Sequence, residues 1–208
     1  MAVQVGLKFI EKWGSDLESQ VCAYEADPVQ KGGIVFYGPS NFTRWSEKYG
    51  AVPMAEEIPG AINRGFGSSC PEHHLYYYGR MVRPLEPRVL VYAPGLGNGT
   101  SFGYTPQEMF DLAQRMMLYA LSDFPQLKIY ICGLPARYNK PEALEYGQWL
   151  RQFAEKTPNC TYLDIAGYAP LQDKGLLCPD GVHFNAQGYK VYGEFFRNVL
   201  KDELSGTK

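Results

Sequence analysis

The chain has 208 residues, 45% of them apolar, and a net charge of −2 from 20 basic and 22 acidic side chains. That length fits one domain, expected to span 1–208 with residues 1–30 as a helical extension packed on it. The near-neutral charge excludes the basic footprint of a nucleic-acid binder, and no run approaches the ~18 apolar residues of a membrane helix.

Residues 1–20 are amphipathic and lack a basic start followed by an apolar block, so no leader is expected and the cytoplasm is the expected location. The five cysteines (Cys22, Cys70, Cys132, Cys160, Cys178) are an odd number without Cys-x-x-Cys spacing, which supports neither a zinc ribbon nor a disulfide framework. Only three histidines occur, none at a familiar ligand spacing from Cys, Asp or Glu, so no metal and no cofactor are expected.

Residues 4–25 read as a helix with Val5, Phe9, Trp13, Leu17 and Val21 on one face. Asp27-Pro28 and Lys31-Gly32-Gly33 break it. The β-branched and aromatic run 34–37 reads as a buried strand that ends in Gly38-Pro39-Ser40-Asn41. A short helix is expected over 42–48, a second strand over 61–63, and a helix from Pro71 to Val82. Strands at 88–93, 127–132 and 160–165 alternate with helices over 106–121 and 141–156, the first opened by a Thr105-Pro106-Gln107-Glu108 cap. A last helix is expected over 185–200. Strands alternating with helices imply parallel strands joined by right-handed crossovers. The expected fold is α/β: a flavodoxin-like three-layer α/β/α sandwich around a five-stranded parallel sheet of order 2-1-3-4-5.

In this topology the loops after the first three strands converge on one sheet edge, where open α/β sheets bind ligands. The loop before the last helix reaches the same edge and carries Asp180 and His183. On a turn, that spacing lets the carboxylate accept from His Nδ1–H and leaves Nε2 free to take a proton from a serine such as Ser40. The residues alone also allow a solvated turn serine at 40, a chain-turning Asp180 and a helix-capping His183. Phe42, Trp45, Phe66, Tyr76 and Phe184 are candidates either for a substrate wall or for the aromatic core.

Four blocks, taken together, resemble the SGNH (GDSL-type) hydrolases: Gly38-Pro39-Ser40-Asn41, Asn63-Arg64-Gly65-Phe66-Gly67, Gly95-Leu96-Gly97-Asn98, and Asp180-Gly-Val-His183-Phe-Asn185-Ala-x-Gly188-Tyr189. The resemblance spans about residues 30–200. It implies hydrolysis of carboxylic esters, with acyl or acetyl groups on a lipid, a sugar or a small molecule. It makes Ser40 the nucleophile, His183 the base and then acid, and Asp180 its orienter. It takes the oxyanion hole from the Ser40 N–H, an N–H of Gly67 or Ser68, and the Asn98 side chain. Three positions depart from the family pattern. Pro39 replaces the residue that is usually Asp, and Ser68 stands where Gly is usual. Asn98 comes one place late, so either the loop bulges to bring it in or the third donor is lost. A weakly active or non-catalytic ligand-binding protein on the same fold is the alternative. A nucleotide binder is disfavoured, because Gly95-Leu96-Gly97 lacks both a third glycine and a Gly-Lys-Ser/Thr.

Overall fold

A computed structural model describes residues 14–205. Five parallel strands form one sheet in the order β2-β1-β3-β4-β5, the order expected from the sequence. The strands are β1 (Ile34–Gly38), β2 (Ala61–Gly65), β3 (Val89–Tyr92), β4 (Lys128–Cys132) and β5 (Cys160–Leu163). Every residue of β1 and β3 is buried. These strands therefore read as unbroken apolar runs, as strands covered on both faces must.

Alternate side chains supply two cores. Val35, Tyr37, Leu90 and Tyr92 point into one, with α1 (Gly14–Glu25), α4 (Pro71–Met81), α6 (Pro106–Asp123) and α7 (Pro141–Lys156) over it. Ile34, Phe36, Val89 and Val91 point into the other, under α3 (Met54–Glu57) and α8 (Ala186–Val199). A short α9 (Lys201–Ser205) follows α8. The N-terminal helix is described from Gly14 on. Leu17 and Val21 are fully buried as its pattern predicts, whereas Val5, Phe9 and Trp13 lie outside the described residues.

Two helices differ from expectation. Instead of one helix over 42–48, α2 (Ser40–Thr43) starts at the serine itself, and a separate 3₁₀ turn covers Glu47–Tyr49. Between them Trp45 turns inward and stacks on Tyr189 and Tyr192 of α8. The glycine-rich 95–99 stretch is not all loop: α5 (Gly97–Ser101) forms, with Thr100 and Ser101 hydroxyls donating back to Gly97 O. Of the aromatic candidates, Phe42, Trp45, Phe66 and Phe184 belong to the cores, while Tyr76 is exposed. None of the five lines the cleft described below.

Candidate active site

Gly38 ends β1 where the neighbouring strand leaves no room. A Cβ there would sit 2.7 Å from Ala93 O. Pro39 then caps α2 without a side-chain bond, and Ser40 is the first helical residue. At that place the backbone N–H has no intrahelical acceptor, and among the described residues no acceptor takes the Ser40 N–H. Asn63 ties this turn to β2, donating to Phe42 O at 2.8 Å while its Oδ1 accepts from Gly65 N at 2.8 Å. Gly65 itself admits no side chain, since a Cβ would collide with Thr43 N. The second sequence block is therefore a clamp on the serine-bearing helix.

The loop before α8 brings the other two candidates. Asp180 Oδ1 accepts from Val182 N at 2.9 Å and His183 N at 3.0 Å, a local turn that folds the carboxylate back on the chain. Its other oxygen, Oδ2, lies 2.8 Å from His183 Nδ1. His183 Nε2 lies 2.8 Å from Ser40 Oγ, across 143 residues of chain. Hydrogen bonds from the His183 backbone and side chain and from Val182 N–H hold Asp180 well below the usual carboxylate range, so it is ionised at neutral pH. An ionised acceptor at Nδ1 fixes the imidazole with its proton there and a bare Nε2 toward the serine. Asn185, not His183, caps α8, accepting from Gly188 N at 2.9 Å.

Two arginines that the sequence did not single out hold this loop. Arg44, at the end of α2, reaches Asp180 Oδ2 at 3.3 Å, and its own N–H donates to Ser40 O at 2.9 Å. Ser40, His183, Asp180 and Arg44 thus close a ring. Arg137, in the β4–α7 loop, donates to Val182 O at 2.6 Å and lies over the Phe184 ring. Both contacts join segments remote in sequence, so no local pattern announces them.

The oxyanion candidates separate. The Gly67 N–H is engaged by Gln20 Oε1 at 2.7 Å, which leaves Ser68 as the candidate whose N–H points elsewhere in that loop. Among the described residues no acceptor takes the Ser68 N–H. Tyr24 adds a bond to Gly65 O at 2.7 Å, so α1 braces the loop from outside. Ser68 sits at φ 65°, in the left-handed region, where the side chain is strained and glycine is usual. Ser68→Gly is expected to stabilise the fold by roughly 0.5–1 kcal/mol, because relief of strain outweighs the added freedom of the unfolded chain. A urea titration with a lower midpoint for the variant contradicts this. Asn98 lies in the first turn of α5 and donates from Nδ2 to Ser69 O at 2.8 Å, leaving its second N–H.

Ser40, Ser68, Asn98 and His183 line one cleft of about 680 Å³, which Leu96, Leu134 and Tyr138 also line. One group close enough to grip a metal ion occurs among the described residues: Cys70, Glu72 and His73, all buried. Cys70 and His73 are otherwise occupied. They form a reciprocal cap at the start of α4, with Cys70 N–H donating to His73 Nδ1 at 3.1 Å. Burial pushes the Cys70 thiol up to about 12, away from the thiolate that binds metals.

No family model matches the chain, and no curated protein matches it. Solved structures do. The psychrotrophic esterase EstA from Pseudoalteromonas, in a structure inhibited by monoethylphosphonate, has a TM-score of 0.68 at 13% identity, over 83% of this chain and 98% of that one. The lipase/acylhydrolase from Enterococcus faecalis gives 0.65 at 18% identity, over 83% and 96%. A GDSL-like lipase from Bacteroides thetaiotaomicron gives 0.64 at 17% identity, over 94% and 100%. The chain has the α/β fold of the SGNH (GDSL-type) hydrolases.

Proposed function

We propose that the protein is a serine esterase that hydrolyses carboxylic esters through an acyl-enzyme on Ser40. The observation that carries this reading is the unbroken chain from Ser40 Oγ through His183 to the ionised Asp180, with 2.8 Å at each of its two links. A hydroxyl is a weak nucleophile until a positioned base takes its proton. Here Ser40 Oγ attacks the ester carbonyl as its proton passes to His183 Nε2, and Asp180 stabilises the imidazolium that forms. The imidazolium then protonates the leaving alkoxide. A water enters, gives its proton to Nε2 and releases the acid. The N–H groups of Ser40 and Ser68 and the Asn98 amide are assigned to the developing oxyanion. The known neighbours, an esterase, a lipase and an acylhydrolase, support the same class of reaction. The substrate is a small-molecule, sugar or lipid ester. No described helix is long and apolar enough to cross a membrane. The expected result is turnover of p-nitrophenyl acetate with a p-nitrophenol burst equal to the enzyme present. Absence of turnover on acetyl through octanoyl p-nitrophenyl esters overturns the reading.

A further inference from the structure

A second hydrogen-bonded chain runs behind the cleft, unused by the steps above. Tyr92 at the end of β3, His74 in α4 and Ser69 before α4 are each at most 1% exposed. Tyr92 Oη lies 3.1 Å from His74 Nδ1, His74 Nε2 lies 2.9 Å from Ser69 Oγ, and Ser69 Oγ donates to Phe66 O at 2.7 Å. The protons follow from the last link. The single O–H of Ser69 goes to a carbonyl, so its oxygen accepts from His74 Nε2–H. The bare Nδ1 of a neutral imidazole then accepts from Tyr92. Burial holds His74 well below its ordinary value, in keeping with a neutral ring.

The chain ends on the loop that carries the oxyanion candidates. Ser69 N also donates to Phe66 O, at 3.4 Å, closing a turn whose third residue is Ser68 at φ 65°. A non-glycine residue keeps such a backbone only where its surroundings over-determine it. The Ser69 carbonyl, in turn, takes the Asn98 amide at 2.8 Å. One residue therefore touches the turn that aims the Ser68 N–H and the side chain of Asn98.

We infer that Ser69, locked by His74 and Tyr92, is a positioning residue that sets both the Ser68 N–H and the Asn98 amide for the oxyanion. The inference rests on the esterase reading. Removing the hydroxyl leaves the His74 N–H buried without an acceptor and frees the turn to relax. Oxyanion donors act only at their placed distance, and a small misplacement is expensive in rate.

The test is steady-state hydrolysis of p-nitrophenyl acetate by the whole chain carrying Ser69→Ala, Asn98→Ala, both together, or Tyr92→Phe. Asn98→Ala is expected to lower kcat about 10²-fold, and Ser69→Ala about 10- to 100-fold with KM within about threefold. The double variant should lose less than the product of the two, because part of the Ser69→Ala loss runs through the Asn98 amide that is already gone. Tyr92→Phe keeps the ring and should lower kcat in the same direction, which covers the case of a Ser69→Ala chain that does not fold. A Ser69→Ala or Tyr92→Phe enzyme that is folded yet has wild-type kcat overturns the assignment, as does strict multiplication of the two losses. A wild-type chain without ester turnover overturns the esterase reading instead, a separate result.

Discussion

Ser40→Ala is expected to lower kcat for p-nitrophenyl acetate by about 10⁴- to 10⁶-fold, with the chain still folded. The size follows from the mechanism, because among the described residues no other hydroxyl is hydrogen-bonded to His183 Nε2. Without it the reaction lacks its covalent intermediate, and only binding and the oxyanion donors remain to assist water. Stability should change little. Ser40 is at the surface of a cleft, its side chain caps nothing, and α2 keeps its backbone bonds from Phe42 N and Arg44 N. A variant whose rate stays within tenfold of wild type, measured with freshly purified protein to exclude a contaminating esterase, contradicts the assignment.

Asp180→Asn is expected to cost about 10⁴ in kcat, as when a triad carboxylate becomes an amide and the imidazole adopts the wrong tautomer. In this protein the substitution removes one further support. Oδ2 is shared by His183 Nδ1 at 2.8 Å and Arg44 at 3.3 Å, so the Arg44 charge loses its partner and the ring that ties α2 to the His183 loop opens. Oδ1 and its two backbone bonds survive in asparagine, so the 180–183 turn should keep its shape. The rate loss therefore reports on the imidazole rather than on loop collapse. Circular dichroism unchanged with kcat down about 10⁴-fold is the expected pair of results. A folded Asp180→Asn enzyme at wild-type rate removes Asp180 from the mechanism.

How much of this was legible in the sequence depended on range. The cap Thr105-Pro106-Gln107-Glu108 announces α6 because its bonds are local: Thr105 Oγ1 accepts from Glu108 N, and Glu108 Oε2 takes Thr105 N. The apolar runs at 34–37 and 88–93 announce central strands because both faces are covered. Asp180 and His183 were readable as a pair because three residues separate them. Arg44, Arg137 and Gln20 were not, because each acts on a segment far along the chain. Glycine-rich 95–99 looked like open loop, since glycine favours no helix. It folds into α5 because Gly99 lets the chain press against Met109, where any Cβ would meet the Met109 sulfur. The same close packing decides that Asn98 stands in the first turn of a helix, against the second-block loop, rather than on a bulge.

Covalent labelling of the intact protein with an alkyl fluorophosphonate, followed by mass spectrometry of the digested adduct, tests Ser40 as the nucleophile most directly. Ser40 Oγ is expected to displace fluoride at phosphorus with help from His183 Nε2, giving one phosphonyl group per chain. It should be located on the peptide that contains Ser40 and be absent from Ser40→Ala. Stoichiometric labelling elsewhere, or none on Ser40 in protein that is folded, contradicts Ser40 as the nucleophile.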